Sequence, residues 1–327
     1  VYPFYSSNYP PLYHLALVPF VWAFGPAYWY GRLLSFLATL VAAGAIAYAV
    51  HRRTRDKPIS AIAGLAFLAS NYVYHIGPLF RQHISMVMFE TLAVVILIPL
   101  GRGDTPTDRR RLFWGLLCLL AAGYTKQLAY ATVAACLLFI LGMGWRRGLI
   151  VAIGFTAVTG ALFGLINVAT GGQWWFNTIV ANINEFVPGQ AQGLYLQWLD
   201  LHLILICLAA LWGLIELSRR RAPLEVLWLI VAVINGISSG KWGAGEAYFT
   251  TAVAAVCLCS GMLLGRWRQQ SAGWRADARW ATAVAIPLLL IAQAGRLIHM
   301  PTQGRLFEPL ARALGLPTDQ PYYDSQG

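Results

Sequence analysis

Acidic side chains are scarce in this sequence, with 13 Asp and Glu among 327 residues and only 11% of positions charged with either sign. A soluble domain carries roughly a quarter charged residues, so the deficit excludes an ordinary water-facing surface. Cysteine is nearly absent too, and Cys118, Cys136, Cys207, Cys257 and Cys259 all fall inside apolar stretches. That placement offers no disulfide framework, and Cys257 and Cys259 lack zinc-site spacing; all five read as small core residues. There is no nucleotide-hydrolase phosphate loop and no pair of histidines at metal-ligating helical spacing. A primary pump with a cytoplasmic nucleotide site therefore finds no support, and no metal site or bound cofactor is expected. His75, His202 and His299 stand alone and suit ordinary hydrogen-bonding positions. The chain begins at Val1 without an initiator methionine or a basic signal-peptide start, from which we expect at least one N-terminal helix to be missing.

Apolar residues, by contrast, fill 58% of the chain. They gather in ten runs, at about 29–50, 58–76, 82–100, 112–123, 127–144, 148–168, 198–218, 223–239, 246–265 and 280–298. Runs of this length predict an all-α, polytopic transmembrane bundle of about ten spans. We read residues 1–298 as one membrane domain and 299–327 as an external C-terminal segment. The 112–144 stretch is too long for one span and is interrupted at Gly123-Tyr124-Thr125-Lys126-Gln127, which predicts two short helices meeting at an external turn. Leu12 to Gly25 is too short to cross and is expected to lie along the surface or to enter only partway.

The formal charge of +11 does not point to nucleic acid, because the basic residues cluster between apolar runs. Alternate connections carry Arg52, Arg53, Arg55 and Lys57; Arg102 and Arg109–Arg111; Arg146 and Arg147; Arg219–Arg221; and Arg266, Arg268, Arg275 and Arg279. Together these hold 17 of the 24 Lys and Arg. The positive-inside rule makes them cytoplasmic, without conflict along the chain. The opposite connections are then external, and the longest, Ala169 to Gln197, has no Lys or Arg while carrying Trp174, Trp175 and Phe176, rings suited to the membrane boundary.

Four solitary cations, Arg32, Arg81, Lys126 and Lys241, fall at or near external helix ends. A charge at bilayer depth costs at least about 2.5 kcal/mol on insertion scales, so each needs a partner or a task. Any one can snorkel to the headgroups; four on one side, flanked by polar residues, make a shared anionic ligand an equal expectation. His83 and Glu90 are seven residues apart and share a helical face; for Glu90 we expect an interhelical hydrogen bond. Lys241 sits in Ser238-Ser239-Gly240-Lys241-Trp242-Gly243, with Glu246 as the one carboxylate beside it in sequence. Gly240 and Gly243 would let backbone approach a ligand closely, or simply end helices.

Asn8-Tyr9-Pro10-Pro11-Leu12-Tyr13, followed by Gly31-Arg32-Leu33-Leu34-Ser35, resembles the membrane glycosyltransferases of the GT-C type. Thr125-Lys126-Gln127 is similar to that superfamily's Thr-Lys element between two short helices. Gly240-Lys241-Trp242-Gly243-Ala244 with Tyr248-Phe249 looks like an element of its bacterial aminoarabinose- and mannosyltransferase-like branch. These short matches span residues 8 to 249 in the family's order. The resemblance implies a sugar moved from a polyprenyl-phosphate donor to a lipid, glycan or protein acceptor on the non-cytoplasmic face of the plasma or inner membrane, with inversion. It implies Arg81, Lys126 and Lys241 on the donor phosphate, and Tyr9, Tyr13 and Tyr248 along the sugar or acceptor site, against interfacial anchoring as those tyrosines' plainer role. The family's acidic base precedes the Pro-Pro element and is expected before Val1. His83 stands where an Arg-x-Asp acid is often found, leaving His83 and Glu246 as weak catalytic candidates. A transporter or flippase of an anionic lipid or solute is the main alternative, and an inactive envelope scaffold a third; no internal repeat of the transporter kind is visible.

Overall fold

The computed structural model describes residues 8–101, 105–220, 222–271, 273, 276–299 and 313. Thirteen α-helices account for nearly all of them. The first six are α1 (Leu12–Phe24), α2 (Trp29–Thr54), α3 (Lys57–Ala69), α4 (Asn71–Ile76), α5 (His83–Leu97) and α6 (Pro106–Thr125). The remainder are α7 (Tyr130–Met143), α8 (Trp145–Ala169), α9 (Gln173–Thr178), α10 (Pro188–Ser218), α11 (Leu224–Asn235), α12 (Thr250–Ser271) and α13 (Ala276–His299). Among the described residues, five stretches are long and apolar enough to cross a membrane: Trp29–Thr54, Trp145–Ala169, Pro188–Ser218, Glu246–Ser271 and Arg279–Leu297. Shorter apolar helices pack among them, and every one of the ten sequence runs falls on a helix. The expected C-terminal segment 299–327 lies outside the described residues, apart from His299 at the end of α13 and position 313.

The helix starts follow local chemistry. Asp56 caps α3 by accepting the Ile59 N–H at 3.0 Å, and Thr105 caps α6 by accepting the Asp108 N–H at 3.1 Å. Each satisfies an N–H that the first helical turn leaves without a partner. Pro106 stands at the start of α6, where its fixed φ and missing N–H cost nothing.

Several boundaries differ from the sequence reading. The 58–76 run is two helices, α3 and α4, separated at Ser70, whose extended backbone (φ −61°, ψ 129°) interrupts the helix. The helix expected as short from 112 is the 20-residue α6; Arg109–Arg111 occupy its first turns and depress the local hydropathy while their heads can reach the interface. The run at 198–218 belongs to the 31-residue α10, which begins at Pro188. Its polar first turns fall within the Ala169–Gln197 connection, which also contains α9.

α12 is the central post, buried along almost its whole length and packed against α2, α3, α10 and α11. Small residues make that approach possible: a Cβ added at Gly261 would sit 2.8 Å from both Ala63 and Val50. Close helix contact through small side chains is the usual device where lipid supplies no hydrophobic drive. Glu90 of α5 accepts hydrogen bonds from Thr132 of α7 at 2.7 Å and Thr251 of α12 at 2.6 Å, while the Trp228 indole of α11 donates to Thr132. The expected interhelical role of Glu90 is thus realised across four helices. Cys136, Cys257 and Cys259 are buried and free.

α10 kinks at His202 (φ −114°, ψ 16°). The backbone groups released there are caught from outside: the Gln293 amide of α13 donates to Leu201 O at 2.6 Å and accepts from the Leu205 N–H at 3.2 Å. Ser260 donates to Leu205 O at 2.7 Å. A helix break inside a bilayer persists only when neighbours satisfy the freed groups.

Arginine clusters remote in sequence meet at one end of the bundle. Glu216 receives Arg219 at 3.3 Å and Arg266 at 2.8 Å, Asp56 pairs with Arg268 at 3.3 Å, and the Gln269 amide donates to Thr54 O. The connections after α4, α6, α9 and α11 belong to the other end.

Candidate functional site

α6 ends at Thr125 because Lys126 turns to extended backbone (φ −156°, ψ 135°). The interruption carries the Lys126 side chain inward, out of the two flanking helices, to a position where it is only 2% exposed. Its ammonium has no hydrogen-bond partner. It lies instead 4.5 Å from the ring centre of Tyr9 and 5.4 Å from that of Tyr248, two π faces that offset part of the charge. Burial above all, and then the positive charges of Arg81 and Lys241, bring Lys126 down to about 7.

Lys241 is held from a different direction. The turn before it pairs with the segment after α9: Val187 N–H donates to Gly240 O at 2.7 Å and Trp242 N–H to Glu185 O at 2.8 Å, forming a bridge of Phe186 with Lys241. Phe186 fits because Gly240 has no side chain; a Cβ there would fall 2.5 Å from the ring. The Gln190 amide reaches the carbonyls of Ser239, Lys241 and Ala244 at 2.6, 3.0 and 3.1 Å. With its backbone fixed, Lys241 donates to Asn182 Oδ1 at 2.7 Å. Partial burial lowers its pKa as well.

Asn8 ties the N-terminal strand of the site to both neighbours: its carbonyl accepts from the Gln127 amide at 3.0 Å and the Asn182 amide at 3.3 Å. Tyr9 is thereby set over Lys126. His83, the first residue of α5, is buried against Tyr248, ring centres 5.9 Å apart, and neither ring nitrogen has a hydrogen-bond partner. Arg81, two residues earlier, is exposed, and its carbonyl accepts from Ser35 of α2 at 3.0 Å.

Arg81, Lys126, Lys241, Tyr9, Tyr248 and His83 are therefore assembled at one end of the bundle. Tyr13 is not among them. Its hydroxyl is buried in the α1–α2 seam, 2.9 Å from both Gly31 O and Ser35 Oγ, so it supports the Ser35–Arg81 contact instead of lining a binding surface. Glu246 also stands apart. It lies within electrostatic reach of Tyr72, and the Lys241 ammonium turns to Asn182 in place of the carboxylate that neighbours it in sequence. Arg32 is exposed on the first turn of α2 and enters none of these contacts. Asn8, part of the Asn8-Tyr9-Pro10-Pro11 element, was not foreseen as the tie between Gln127 and Asn182, and Asn182 and Gln190 were missed by sequence reasoning. Their signal was there in the polar amides of a connection that has no cation of its own.

A group of cations without carboxylates is costly unless an anion completes it. Among the described residues, no three His, Cys, Asp or Glu side chains come together to hold a metal ion. Two apolar grooves lead toward the cations. One of about 280 Å³ runs between α1, α6 and α8, lined by Pro11, Leu15, Leu117 and Ile166. The next, about 260 Å³, shares Leu120 and Tyr124 with it and reaches Gln127 and Tyr130.

No family model matches the sequence, and no curated protein matches it significantly. Solved structures do match. The ArnT of Cupriavidus metallidurans in complex with undecaprenyl phosphate superposes with a TM-score of 0.58 at 16% identity, over 89% of this chain and 64% of that one. Its apo state gives 0.59 at 17% identity, over 89% and 63%. The oligosaccharyltransferase of Archaeoglobus fulgidus, solved with zinc and sulfate, gives 0.51 at 13% identity, over 96% of this chain and 49% of that one. The chain thus spans less than two thirds of the length of these neighbours. Its polytopic transmembrane bundle has the GT-C fold.

Proposed function

We propose that this GT-C bundle acts as a membrane glycosyltransferase, moving a sugar from a polyprenyl-phosphate donor to an acceptor on the non-cytoplasmic face. The observation that carries the reading is Lys126: a buried ammonium without a hydrogen-bond acceptor, within the fields of Arg81 and Lys241. Each cation comes from a different connection, and an anion of the size of phosphate would complete all three. Attack of an acceptor hydroxyl on the anomeric carbon breaks the bond to the phosphate oxygen, and the charge develops on the leaving lipid phosphate. Cations fixed at that position stabilise the developing charge more than the bound ester. Tyr9 and Tyr248, now facing Lys126, would flank the phosphate and the sugar.

The two apolar grooves suit the polyprenyl chain, since together they run from lipid-facing α8 to the residue after Lys126. The arginine-rich end is cytoplasmic by the positive-inside rule, which puts the cation cluster on the external face of the plasma or inner membrane. The acceptor's base remains to be assigned; of the two weak candidates, His83 neighbours the cluster and Glu246 does not. Replacing Lys126 or Lys241 with alanine is expected to abolish sugar transfer with membrane insertion unchanged; normal turnover in either variant would remove the phosphate role. A flippase of the same lipid is distinguished by accumulation of chemically unaltered substrate in sealed vesicles.

A further inference from the structure

The cavity of about 710 Å³ between α3 and the N-terminal half of α13 lies at the arginine-rich end, away from the cation cluster around Lys126. Its origin is in how α13 docks. The far half of α13 is fastened to α10 by Gln293 and by Arg296, which pairs with Asp200 at 2.7 Å. Pro287 lies inside the continuous helix midway along it, and the near half stands off α3. Ile59, Ile62, Ile286, Leu290 and Ile291 form apolar walls, and Arg268 and Arg279 sit at the mouth with Ser271.

We infer that this groove binds a two-chain anionic glycerophospholipid from the leaflet on the arginine-rich side. Arg279 begins the membrane-crossing window of α13 and Arg268 lies in the last turn of α12, so both guanidinium groups sit where acyl chains give way to headgroups. A phosphodiester there would meet them while its chains descend along the isoleucines. Arg268 is already paired with Asp56 and half exposed; Arg279 is exposed and has no ion-pair partner among the described residues. The charge at the mouth selects an anionic headgroup over a zwitterionic one, because each Arg near the surface favours anionic lipid roughly fivefold. The site makes no use of the glycosyltransferase reading and stands or falls separately.

Native mass spectrometry of the full chain, released from micelles containing equimolar phosphatidylglycerol and phosphatidylcholine, tests it. The unmodified chain should retain phosphatidylglycerol preferentially. Arg279→Gln should cut that preference about fivefold, Arg279→Lys should keep most of it, and Ala283→Trp, which fills the groove, should lower retention of both lipids. Equal retention of the two lipids, an unchanged preference in Arg279→Gln, or displacement by inorganic phosphate alone would overturn the inference. Size-exclusion profiles matching the unmodified chain certify that each variant is folded; should Ala283→Trp fail that check, the Gln and Lys variants decide.

Discussion

If the proposed function holds, binding of a polyprenyl phosphate to the purified chain should weaken as pH rises from 7 to 9, and Lys126 should be the cause. Without an anion, burial and two neighbouring cations hold this lysine at about 7, against an ordinary value near 10.4. A bound phosphate removes the repulsion and supplies an acceptor, so Lys126 takes up a proton on binding. The protonated fraction of a free group titrating at 7 falls from about one half at pH 7 to about one hundredth at pH 9. The affinity should fall by the same factor, roughly fiftyfold. The phosphomonoester's own second ionisation, near 6, is mostly complete across this range and does not oppose the trend. Fold stability should move the other way. The unfolded chain binds more protons at this site than the folded one between about 7 and 10.4, so stability rises with pH in that window. The assay is equilibrium binding of undecaprenyl phosphate in detergent at fixed ionic strength, repeated with Lys126→Arg. A guanidinium stays charged throughout, so that variant should bind with a nearly flat profile. A flat profile for the unmodified chain, or an equal slope in Lys126→Arg, would refute the assignment.

Other perturbations test neighbouring parts of the structure. Asn182→Asp would put a carboxylate beside the Lys241 ammonium, now 2.7 Å from Asn182 Oδ1, and should raise the apparent KM for the lipid donor at least tenfold on the order of one charged contact; an unchanged KM would separate Lys241 from the donor. Gln293→Leu strands Leu201 O and the Leu205 N–H at the α10 kink and should cost about 1–3 kcal/mol, read as a lower Tm in detergent. Gly148→Ala sets a Cβ 2.3 Å from Leu141 Cα, a backbone clash between α7 and α8 that should destabilise by about 1–3 kcal/mol. Gly123→Ala, with open space around it, should be neutral or stabilising by up to about 1 kcal/mol.

The helices, and the gathering of the arginine clusters at one end, were legible because hydropathy and arginine placement are strong, local signals, and all ten runs are helical. Legibility failed where polar residues lie inside helices. Arg109–Arg111 hid the start of α6, and Gln190, Gln192 and Gln197 made the outer part of α10 resemble a loop. Arg32, Arg81, Lys126 and Lys241 were expected on one side of the bilayer, and the structure brings the last three together without Arg32; Tyr9 and Tyr248 entered through the family resemblance. Their fastenings were not foreseen. Asn182 and Gln190 carry no charge and follow no motif, Asn8 acts through its backbone carbonyl, and their partners are remote groups that only the tertiary fold brings near. Tyr13 shows the opposite failure: its neighbours in sequence suggested a site residue, whereas its hydroxyl closes a seam between two helices.

The lateness of Lys241 in the chain has a consequence for biogenesis. Arg81 and Lys126 enter the membrane with α5 and α6, whereas Lys241 and Tyr248 follow α11 and arrive more than a hundred residues later. Domains are made from the N-terminus onward, so a nascent chain that has inserted α5 and α6 holds Lys126 without Tyr248 or the 240–242 bridge to enclose it. Until α12 is in place that lysine can stay hydrated and fully charged. Insertion of α12 then dehydrates it and brings Tyr248 and the 240–242 bridge around it, completing the anion site. Competence to bind would thus follow insertion of α12, and nascent chains that stop short of it would not sequester an anionic lipid.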